Sequence, residues 1–315
     1  MDFNKPYVCV LGGVNADIQG FVRGPLILRD SNVGRVRTSM GGVGRNIAEN
    51  LVRLGIPTTL VSVVGQDTYG QRALLEADRL GLDTRHVLVL PDADTSTYLS
   101  VLDEGGDMLV AINQMDICDR MTASRLDGKL DVLKRAALCV MDTNFPAETL
   151  IHVIDAIPPE VPLFLDPVST AKAERIKPRI GRFHTIKPNR LEAETLSGIS
   201  IPEARGAAQW DALYRAVGRF HELGVRHVFI SLGAAGTYCS IGTAQWHLPP
   251  PACQVVAATG AGDAFLATLA MGHFRGLDIH RTARMATIAA AMALSHEDTI
   301  NPDLSYDRLT REEPS

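Results

Sequence analysis

The sequence predicts an α/β protein in which helices cover both faces of a mainly parallel sheet. Short apolar runs alternate with segments of helical periodicity along most of the 315 residues, which is the pattern of successive βαβ units. Hydrophobic residues make up 46% of the chain and charged residues 21%, so a large core can form. Two stretches in the first half of the chain are more polar than the other strands, and they predict a small separate sheet.

The elements of the first hundred residues carry clear start or stop signals. The apolar run Tyr7–Gly13 ends in Gly-Gly, which predicts a buried strand and a tight turn. Gly55 and Pro57 end the first helix, and Gly81 ends the second. In chain order, we predict a strand at Tyr7–Gly13, half-exposed strands at Ile18–Leu28 and Val33–Thr38, a helix at Gly44–Leu54, a strand at Thr58–Val64 and a helix at Thr68–Leu80.

Beyond residue 94, a hairpin is followed by alternating strands and helices. Thr95–Leu102 and Met108–Ile112 flank Glu104-Gly105-Gly106-Asp107, a strong hairpin signal. The later predicted strands are Leu138–Met141, Leu163–Leu165, Thr185–Ile186, His227–Ser231, Thr237–Ser240 and Ala244–Leu248. The later predicted helices are Ala147–Ala156, Leu191–Leu196, Ala212–Leu223, Gly260–Phe274 and Arg281–Leu294. We therefore expect one domain over residues 1–315, with lid strands at about 18–40 and 95–112 inside it.

Composition and charge argue against several classes of protein. Lys and Arg number 31 against 36 Asp and Glu, a net charge of −5, which disfavours a general nucleic-acid binder. No apolar stretch approaches the roughly 20 residues that a membrane span needs, and the first residues lack the pattern of a signal peptide. The five cysteines are odd in number and form no C-x-x-C pair, which favours reduced thiols. We expect a cytoplasmic protein with no nucleic-acid or membrane partner.

Three glycine-rich clusters are candidates for binding phosphate. None has the G-x-x-x-x-G-K-[ST] pattern of a P-loop, and Ile47 and Phe265 stand where a dinucleotide-binding fingerprint needs its third glycine. Thr259-Gly260-Ala261-Gly262-Asp263 begins an apolar helix, where backbone N–H groups and the helix dipole favour an anion. Asp263 is either a first-turn acid that stabilises the helix or a general base beside the anion, and the pattern leaves both interpretations open.

Two further clusters place polar groups at helix starts. Gly41-Gly42-Val43-Gly44-Arg45-Asn46, with Asn15 and Asp17, offers amide and carboxylate groups suited to the vicinal hydroxyls of a sugar, although a tight turn explains the glycines too. Asn189 and Glu192 share one face of a helical start. They can orient Mg²⁺ through its waters or form an ordinary helix cap. Lys172 can reach phosphate or remain solvated.

The order and spacing of these motifs resemble those of the PfkB, or ribokinase-like, sugar kinases, and the resemblance covers essentially the whole chain. Gly41-Gly42, Gly44, Asn46, Ala48, Gly55 and Gly65 match the spacing of the first family signature. The motifs that follow the family order are Asn15-x-Asp17, Asn189-x-x-Glu192, Ser231-Leu232-Gly233 and Gly260-Ala261-Gly262-Asp263. The stretches that look like those of pseudouridine-phosphorylating members are Gly41–Leu51, Ser96–Asp103, Met108–Ile117, Lys187–Ile199 and Asn301–Ser305.

This resemblance implies a three-layer α/β/α sandwich with a β-strand lid, and transfer of phosphate from ATP, with Mg²⁺, to the 5′-hydroxyl of pseudouridine. It implies Asp263 as the general base and Gly260, Ala261 and Gly262 as the anion hole. The implied ribose contacts are Asn15, Asp17, Gly41, Gly42 and Asn46, and the candidates for contacting the base are Ser31, Asn32, Thr97 and Asn113. The implied ATP contacts are Lys187, Asn189, Ser231, Gly233, Gly236, Thr259, Gly260, Gly262 and Asn301, with Asn189 and Glu192 near Mg²⁺ through water. The family also implies a homodimer formed through the lid.

One departure from the family pattern concerns a monovalent cation. Ala257 stands where many ribokinase-like proteins have Asp or Asn, so we predict no activation by K⁺. The substrate stays open between pseudouridine and the alternatives of ribose or another nucleoside. A catalytically inactive nucleoside-binding regulator is a further alternative, against which the intact Gly260–Asp263 motif argues.

Overall fold

Two separate sheets organise the chain, which the computed structural model describes over residues 5–250, 253–256 and 259–313. The strands are β1 (Val8–Leu11), β2 (Asn15–Val22), β3 (Gly34–Gly41), β4 (Thr58–Gly65), β5 (Asp83–Leu90), β6 (Ser96–Leu102), β7 (Met108–Gln114), β8 (Leu138–Asp142), β9 (Leu163–Asp166), β10 (Thr185–Ile186), β11 (His227–Ser231), β12 (Thr237–Ile241) and β13 (Ala244–Leu248).

The helices follow the strands in alternation over most of the chain. They are α1 (Val43–Arg53), α2 (Thr68–Leu80), α3 (Ala123–Asp127), α4 (Leu130–Lys134), α5 (Ala147–Ala156), α6 (Thr170–Ala173), α7 (Arg190–Ser197), α8 (Ala207–Leu223), α9 (Ala261–Phe274), α10 (Ile279–Leu294) and α11 (Tyr306–Glu312). Short 3₁₀ helices lie at Asp116–Arg120, Glu174–Arg182 and Gly233–Ala235.

The main sheet has nine strands within the described residues, in the order β13-β12-β11-β10-β9-β8-β1-β4-β5. The pairs from β5 to β11 are parallel, and β12 and β13 add an antiparallel edge. Successive side chains of β1 face opposite cores: Cys9 and Leu11 pack with α5, α7 and α8, whereas Val8 and Val10 pack with α1, α2, α9 and α10. The predicted three-layer α/β/α fold is thereby confirmed.

The second sheet consists of four strands in the described residues, in the order β3-β2-β6-β7, and we call these four strands the lid. Its strands come from the two polar stretches that predicted a separate sheet. Asp17, Tyr98 and Asn113 are direct neighbours across the lid and therefore share one face. Ile18, Leu99 and Ile112 are neighbours in the next row and lie on the other face.

Several elements differ from the sequence predictions. β2 begins at Asn15, three residues before the predicted Ile18, so Asn15 and Asp17 lie within a strand and not before one. β5 was not predicted, and neither were α3, α4, α6 and α11. α8 begins at Ala207, ahead of the predicted Ala212. Among the residues described, no helix combines the length and apolar character that crossing a membrane requires.

Candidate active site

The polar residues selected from the sequence converge where the central strands of the main sheet end. β8 and β9 are parallel neighbours, and their last residues, Asp142 and Asp166, are in register. The start of α1 lies against the same edge, because the backbone N–H of Gly44 donates to Asp142 Oδ2 over 2.9 Å. Ligands of open α/β sheets bind in the crevice beyond these strand ends.

Asp263 lies in the first turn of α9 and is buried. Its Oδ2 accepts a hydrogen bond of 2.8 Å from Asn46 Nδ2, which joins two motifs that are 217 residues apart. Burial, and then the negative charge of Asp166, raise the pKa of Asp263 to about 8, while Asn46 and Lys187 act in the opposite direction. A carboxyl group with this pKa can take up a proton near neutral pH, as a general base must.

A buried ion pair lies beside the first turn of α9. Lys187 Nζ is 3.1 Å from Asp166 Oδ2, and both side chains are less than 10% exposed. Burial lowers the pKa of Lys187, but the charges of Asp166 and Glu192 outweigh burial and raise it. A Cβ at Gly262 would be 2.6 Å from Lys187 Nζ, so the glycine lets the ammonium approach the helix start closely.

Gly260 forms the N-cap of α9 with φ of +83°, a conformation that favours glycine. A Cβ at this position would overlap the carbonyl oxygen of Thr299. Glycine is therefore required both for the turn and for the close approach of the segment that follows α10. The first backbone N–H groups of α9 have no acceptor within the helix, so they are available to an anion at the helix N-terminus.

The predicted sugar contacts also lie together. Asn15 Nδ2 donates to Asp17 Oδ1 over 2.6 Å, and a Cβ at Gly41 would overlap the Asp17 carboxylate. Gly42 has φ of +100° and packs directly on Gly13. Burial raises the pKa of Asp17 to about 6, against the lowering effects of Asn15 and Arg45.

A cavity of about 240 Å³ opens next to Lys187 and the start of α9. Its lining includes the predicted residues Lys187, Ser231, Gly233, Gly236, Ala261 and Gly262. It also includes side chains that the sequence reasoning did not select: Thr237, Phe265, Thr287, Ala290, Ala291 and Leu294. The cavity thus has a charged end at Lys187 and apolar walls contributed by α9 and α10. Asn189 lines a neighbouring cavity that shares Ser231 and Gly233 with this one.

Asn189 and Glu192 have the geometry of a capping box at the start of α7. Asn189 Oδ1 accepts from the Glu192 backbone N–H over 2.9 Å, and the Glu192 carboxylate accepts from the backbone N–H and Nδ2 of Asn189. Burial and the charge of Asp166 raise the pKa of Glu192. Both side chains are therefore held rigidly beside the Asp166–Lys187 pair.

Other predicted residues lie farther from this centre. Asn32 bonds within its own exposed turn, to Ile27 and Asp30, and Ser31 is exposed beside it. Asn113 is on the face of the lid that carries Asp17, whereas Thr97 is on the opposite face, so the two do not share a wall. Four of the predicted nucleotide contacts are not among the residues that line the cavity: Asn189, Thr259, Gly260 and Asn301.

Asn301 binds the chain locally: its Nδ2 donates to the Met292 carbonyl over 2.8 Å. Ala257, on which the prediction about K⁺ rests, lies outside the described residues. In the part of the chain that the structure describes, no three His, Cys, Asp or Glu side chains are grouped to hold a metal ion directly.

Three polar residues of the crevice were not selected from the sequence: Asp142, Asn144 and Asp166. Asp142 and Asp166 end the apolar strands β8 and β9, and Asn144 follows β8; an acid or amide at the end of a buried strand is the signal that finds them. Lys172 was expected to reach phosphate or be solvated. In the structure, its Nζ donates to Asn144 Oδ1 over 2.6 Å, so it is not simply solvated, and a contact with phosphate stays a prediction.

Comparison with known proteins identifies the family of this chain. A family model described as pfkB family carbohydrate kinase matches residues 5–305. The chain belongs to this family. It is therefore a phosphotransferase that acts on a hydroxyl group.

The pfkB chain is similar to several characterised and solved proteins. It is 41% identical to the pseudouridine kinase of Escherichia coli over 303 residues, which cover 96% of this chain and 94% of the relative. A protein from Clostridium perfringens described as a sugar kinase superposes with a TM-score of 0.85 at 34% identity, covering 98% and 95% of the two chains. The ribokinase of Arabidopsis thaliana, solved with ribose and ATP, has the same fold at 23% identity, with a TM-score of 0.83 and coverage of 97% and 98%.

Proposed function

We propose that this pfkB kinase transfers the γ-phosphoryl group of ATP to the 5′-hydroxyl of pseudouridine, giving pseudouridine 5′-phosphate and ADP. The observation that carries the chemistry is the buried Asp263 carboxyl, which is bonded to Asn46 and lies at a helix N-terminus beside the Asp166–Lys187 pair. The choice of substrate is supported by the 41% identity to the E. coli pseudouridine kinase over nearly the whole of both chains.

In the proposed reaction, the Asp263 carboxylate removes the proton of the 5′-hydroxyl as that oxygen attacks the γ-phosphorus. The bond between the γ-phosphorus and the β,γ-bridging oxygen breaks, and ADP leaves with that electron pair. The backbone N–H groups of Gly260, Ala261 and Gly262 face the charge that develops on the transferred group, which is where fixed dipoles lower the barrier most. Asp263 releases its proton to solvent after the product leaves.

The residues around Lys187 fit a nucleoside triphosphate. Lys187 supplies a positive charge at one end of the cavity, and the apolar side chains of α9 and α10 offer a surface for the base. The Glu192 carboxylate, held by Asn189, would accept hydrogen bonds from waters of a hydrated Mg²⁺, which prefers oxygen ligands and keeps much of its water. When bound, Mg²⁺ would neutralise phosphate charge.

Asn15, Asp17 and Asn46 are proposed to hold the ribose. Asn15 and Asp17 are hydrogen-bonded to each other at one end of β2. The Asn15 amide and the Asp17 carboxylate therefore lie side by side, a spacing suited to two vicinal hydroxyls. Asn46 also donates a hydrogen bond to Asp263, so Asn46 would align the ribose with the general base. Positioning of this kind accounts for much of the acceleration in phosphoryl transfer.

A substrate panel tests the proposed function. ADP release is measured with ATP and, in turn, pseudouridine, uridine, adenosine and ribose. We expect the highest kcat/KM for pseudouridine. A higher value for uridine or ribose would overturn the substrate, and nucleoside binding without ADP release would favour the inactive regulator.

We also propose one kinase domain over residues 1–315 that acts in the cytoplasm as a homodimer formed through the lid. The face of the lid opposite Asp17 exposes apolar side chains: Val36 is 73% exposed, Val110 51% and Ile112 63%. A second copy of the same sheet would cover this surface, and exposed apolar patches commonly mark such contacts.

A further inference from the structure

The proposed mechanism gives no role to Lys172, a lysine of the same crevice. Lys172 is half-buried in α6, and its Nζ donates to Asn144 Oδ1 over 2.6 Å and lies 3.5 Å from Met115 Sδ. The negative charge of Asp142 acts on Lys172, and the two side chains are connected by hydrogen bonds through Asn144. An ammonium group carries three N–H donors, so the bond to Asn144 leaves donors of Lys172 available for a ligand.

A chain of hydrogen bonds connects Lys172 to the proposed sugar site. Asn144 Nδ2 donates to Asp142 Oδ2 over 2.8 Å. The same oxygen accepts from the backbone N–H groups of Gly13 and Gly44. Gly13 packs on Gly42, and Gly44 is two residues before Asn46 in α1. Lys172 therefore belongs to the same crevice as Asn46 and Asp263.

Lys172 lies where the lid joins the main body. Met115 directly follows the lid strand β7. Ser96, at the start of the lid strand β6, is the register neighbour of Asn15 and lies 3.7 Å from Cys118 through its Oγ. A ribose with its 5′-hydroxyl at Asp263 and its ring hydroxyls at Asn15 directs its C1′ substituent away from Asp263. Lys172 and Met115, where the lid joins the main body, are the side chains that we expect such a substituent to meet.

The chemistry of this end of the crevice selects a hydrogen-bond acceptor. A lysine ammonium has three N–H donors and no acceptor. Asn144 Oδ1 takes one donor and the Met115 sulfur is a weak acceptor for a second. The Asp142 carboxylate is already engaged by Gly13, Gly44 and Asn144. A ligand that supplies a carbonyl oxygen would satisfy the ammonium, whereas a ligand that supplies an amino group would oppose it.

The backbone before Lys172 is strained in a way that holds this arrangement. Val168 has φ of +65°, a conformation that is costly for a β-branched residue. Its N–H donates to Asp166 Oδ1 over 2.8 Å, and the Ser169 side chain then caps α6. One turn thus fixes Asp166 at the phosphate end and Lys172 at the lid end of the crevice.

We propose that Lys172, oriented by Asn144, donates a hydrogen bond to a ring carbonyl of the group at C1′ of the substrate, and so selects nucleosides with a carbonyl-bearing base over free ribose. This inference rests on the proposed function, because it assumes that the ribose lies between Asp263 and the lid. Lys172 is then a specificity residue that contacts the substrate and takes no part in the proton transfer.

The test compares three acceptors in Lys172→Met, Lys172→Arg and the control Lys177→Met, an exposed lysine of the neighbouring 3₁₀ helix. The acceptors are pseudouridine, the C-riboside of benzene, which has a ring without carbonyls, and ribose. We expect Lys172→Met to lower kcat/KM for pseudouridine about 10-fold to 100-fold, mainly through KM, as the loss of a charged hydrogen bond does. The other two acceptors should change less than about 2-fold, and Lys172→Arg should recover part of the loss.

An equal loss for all three acceptors would overturn the inference, because it would show that Lys172 only supports the fold around Asp142. No loss for pseudouridine would overturn it as well. The same comparison is made by calorimetric binding of the three ligands without ATP. A wild-type protein that binds pseudouridine but releases no ADP would contradict the proposed reaction, while the dissociation constants would still decide the role of Lys172.

Discussion

The pKa of Asp263 makes a quantitative prediction about pH. Because the base acts when it is deprotonated, kcat/KM should rise with pH and level off above the pKa of about 8. At pH 7, roughly one molecule in ten would then have an ionised Asp263. Between pH 7 and pH 6, kcat/KM measured by ADP release at saturating ATP should fall about a further tenfold. Below about pH 6 it should fall more steeply, because the proposed sugar contact Asp17 then also takes up a proton.

Asn46→Ala is the perturbation that tests the cause of this pKa. Asn46 Nδ2 donates to Asp263 over 2.8 Å and favours the ionised form, so its loss should raise the pKa by about one unit. Asn46 is also a proposed sugar contact, but the fall in kcat/KM caused by losing that contact should be the same at every pH. The ratio of wild-type to Asn46→Ala kcat/KM should therefore be roughly 5- to 10-fold larger at pH 7 than at pH 9.5.

Asn15→Ala is the matched control, because Asn15 bonds to Asp17 and not to Asp263. It should lower kcat/KM and leave the midpoint of the pH profile unchanged. The reasoning would be refuted by a wild-type midpoint below pH 6, or by a ratio for Asn46→Ala that does not vary with pH.

The remaining predictions concern stability and assembly. Burial lowers the pKa of His184 to about 3 and that of His227 to about 4. Below about pH 6.5 the unfolded state therefore gains protons that the folded state does not, so the stability present above pH 6.5 is lost as the pH falls toward 4. After allowance for their partial exposure, the loss is up to about 1 kcal/mol per pH unit for each histidine. Urea unfolding at pH 7.5 and pH 5 should show a smaller difference for His184→Gln/His227→Gln, and an unchanged difference would contradict this origin. Gly260→Ala should lower kcat at least about 100-fold and also lower Tm, because the added Cβ meets a backbone carbonyl. Gly81 is the control: it also has a positive φ, but a Cβ there meets open space, so Gly81→Ala should lower Tm slightly and leave kcat unchanged. Equal effects of the two substitutions would argue against crowding at the anion hole. Ile112→Asp should convert a dimer to a monomer in sedimentation velocity, whereas a monomeric wild-type protein at micromolar concentration would contradict dimerisation through the lid.

Much of the fold could be predicted because its strands are short, apolar and separated by periodic helices. β10, β11 and α5 have the predicted bounds. β5 was missed because Asp83–Leu90 is mostly half-exposed and begins with charged residues, which weakens the pattern of a buried strand. α3 and α4 are five residues each, too short to show a helical period.

The site could be predicted where a motif is local and not where it depends on topology. Asp263 and the glycines before it are one short motif, and Asn46 is another, so both were found, but their hydrogen bond follows from the packing of α1 against α9. Asp142 and Asp166 end two apolar strands with no neighbouring motif. Their adjacency follows from the strand order, which a single sequence does not specify.

The central claim, that Asp263 is the base of a nucleoside kinase, is tested most directly by the turnover of Asp263→Asn with pseudouridine and ATP at pH 8. Asparagine keeps the shape and can still accept from Asn46, so kcat should fall about 100-fold to 10,000-fold with nucleoside binding retained. The raised pKa means that the folded state loses stability as pH rises from about 4 to 8, so the variant should melt at or above the wild-type Tm at pH 8. A well-folded Asp263→Asn that keeps more than about a tenth of the wild-type kcat would show that Asp263 is not the general base.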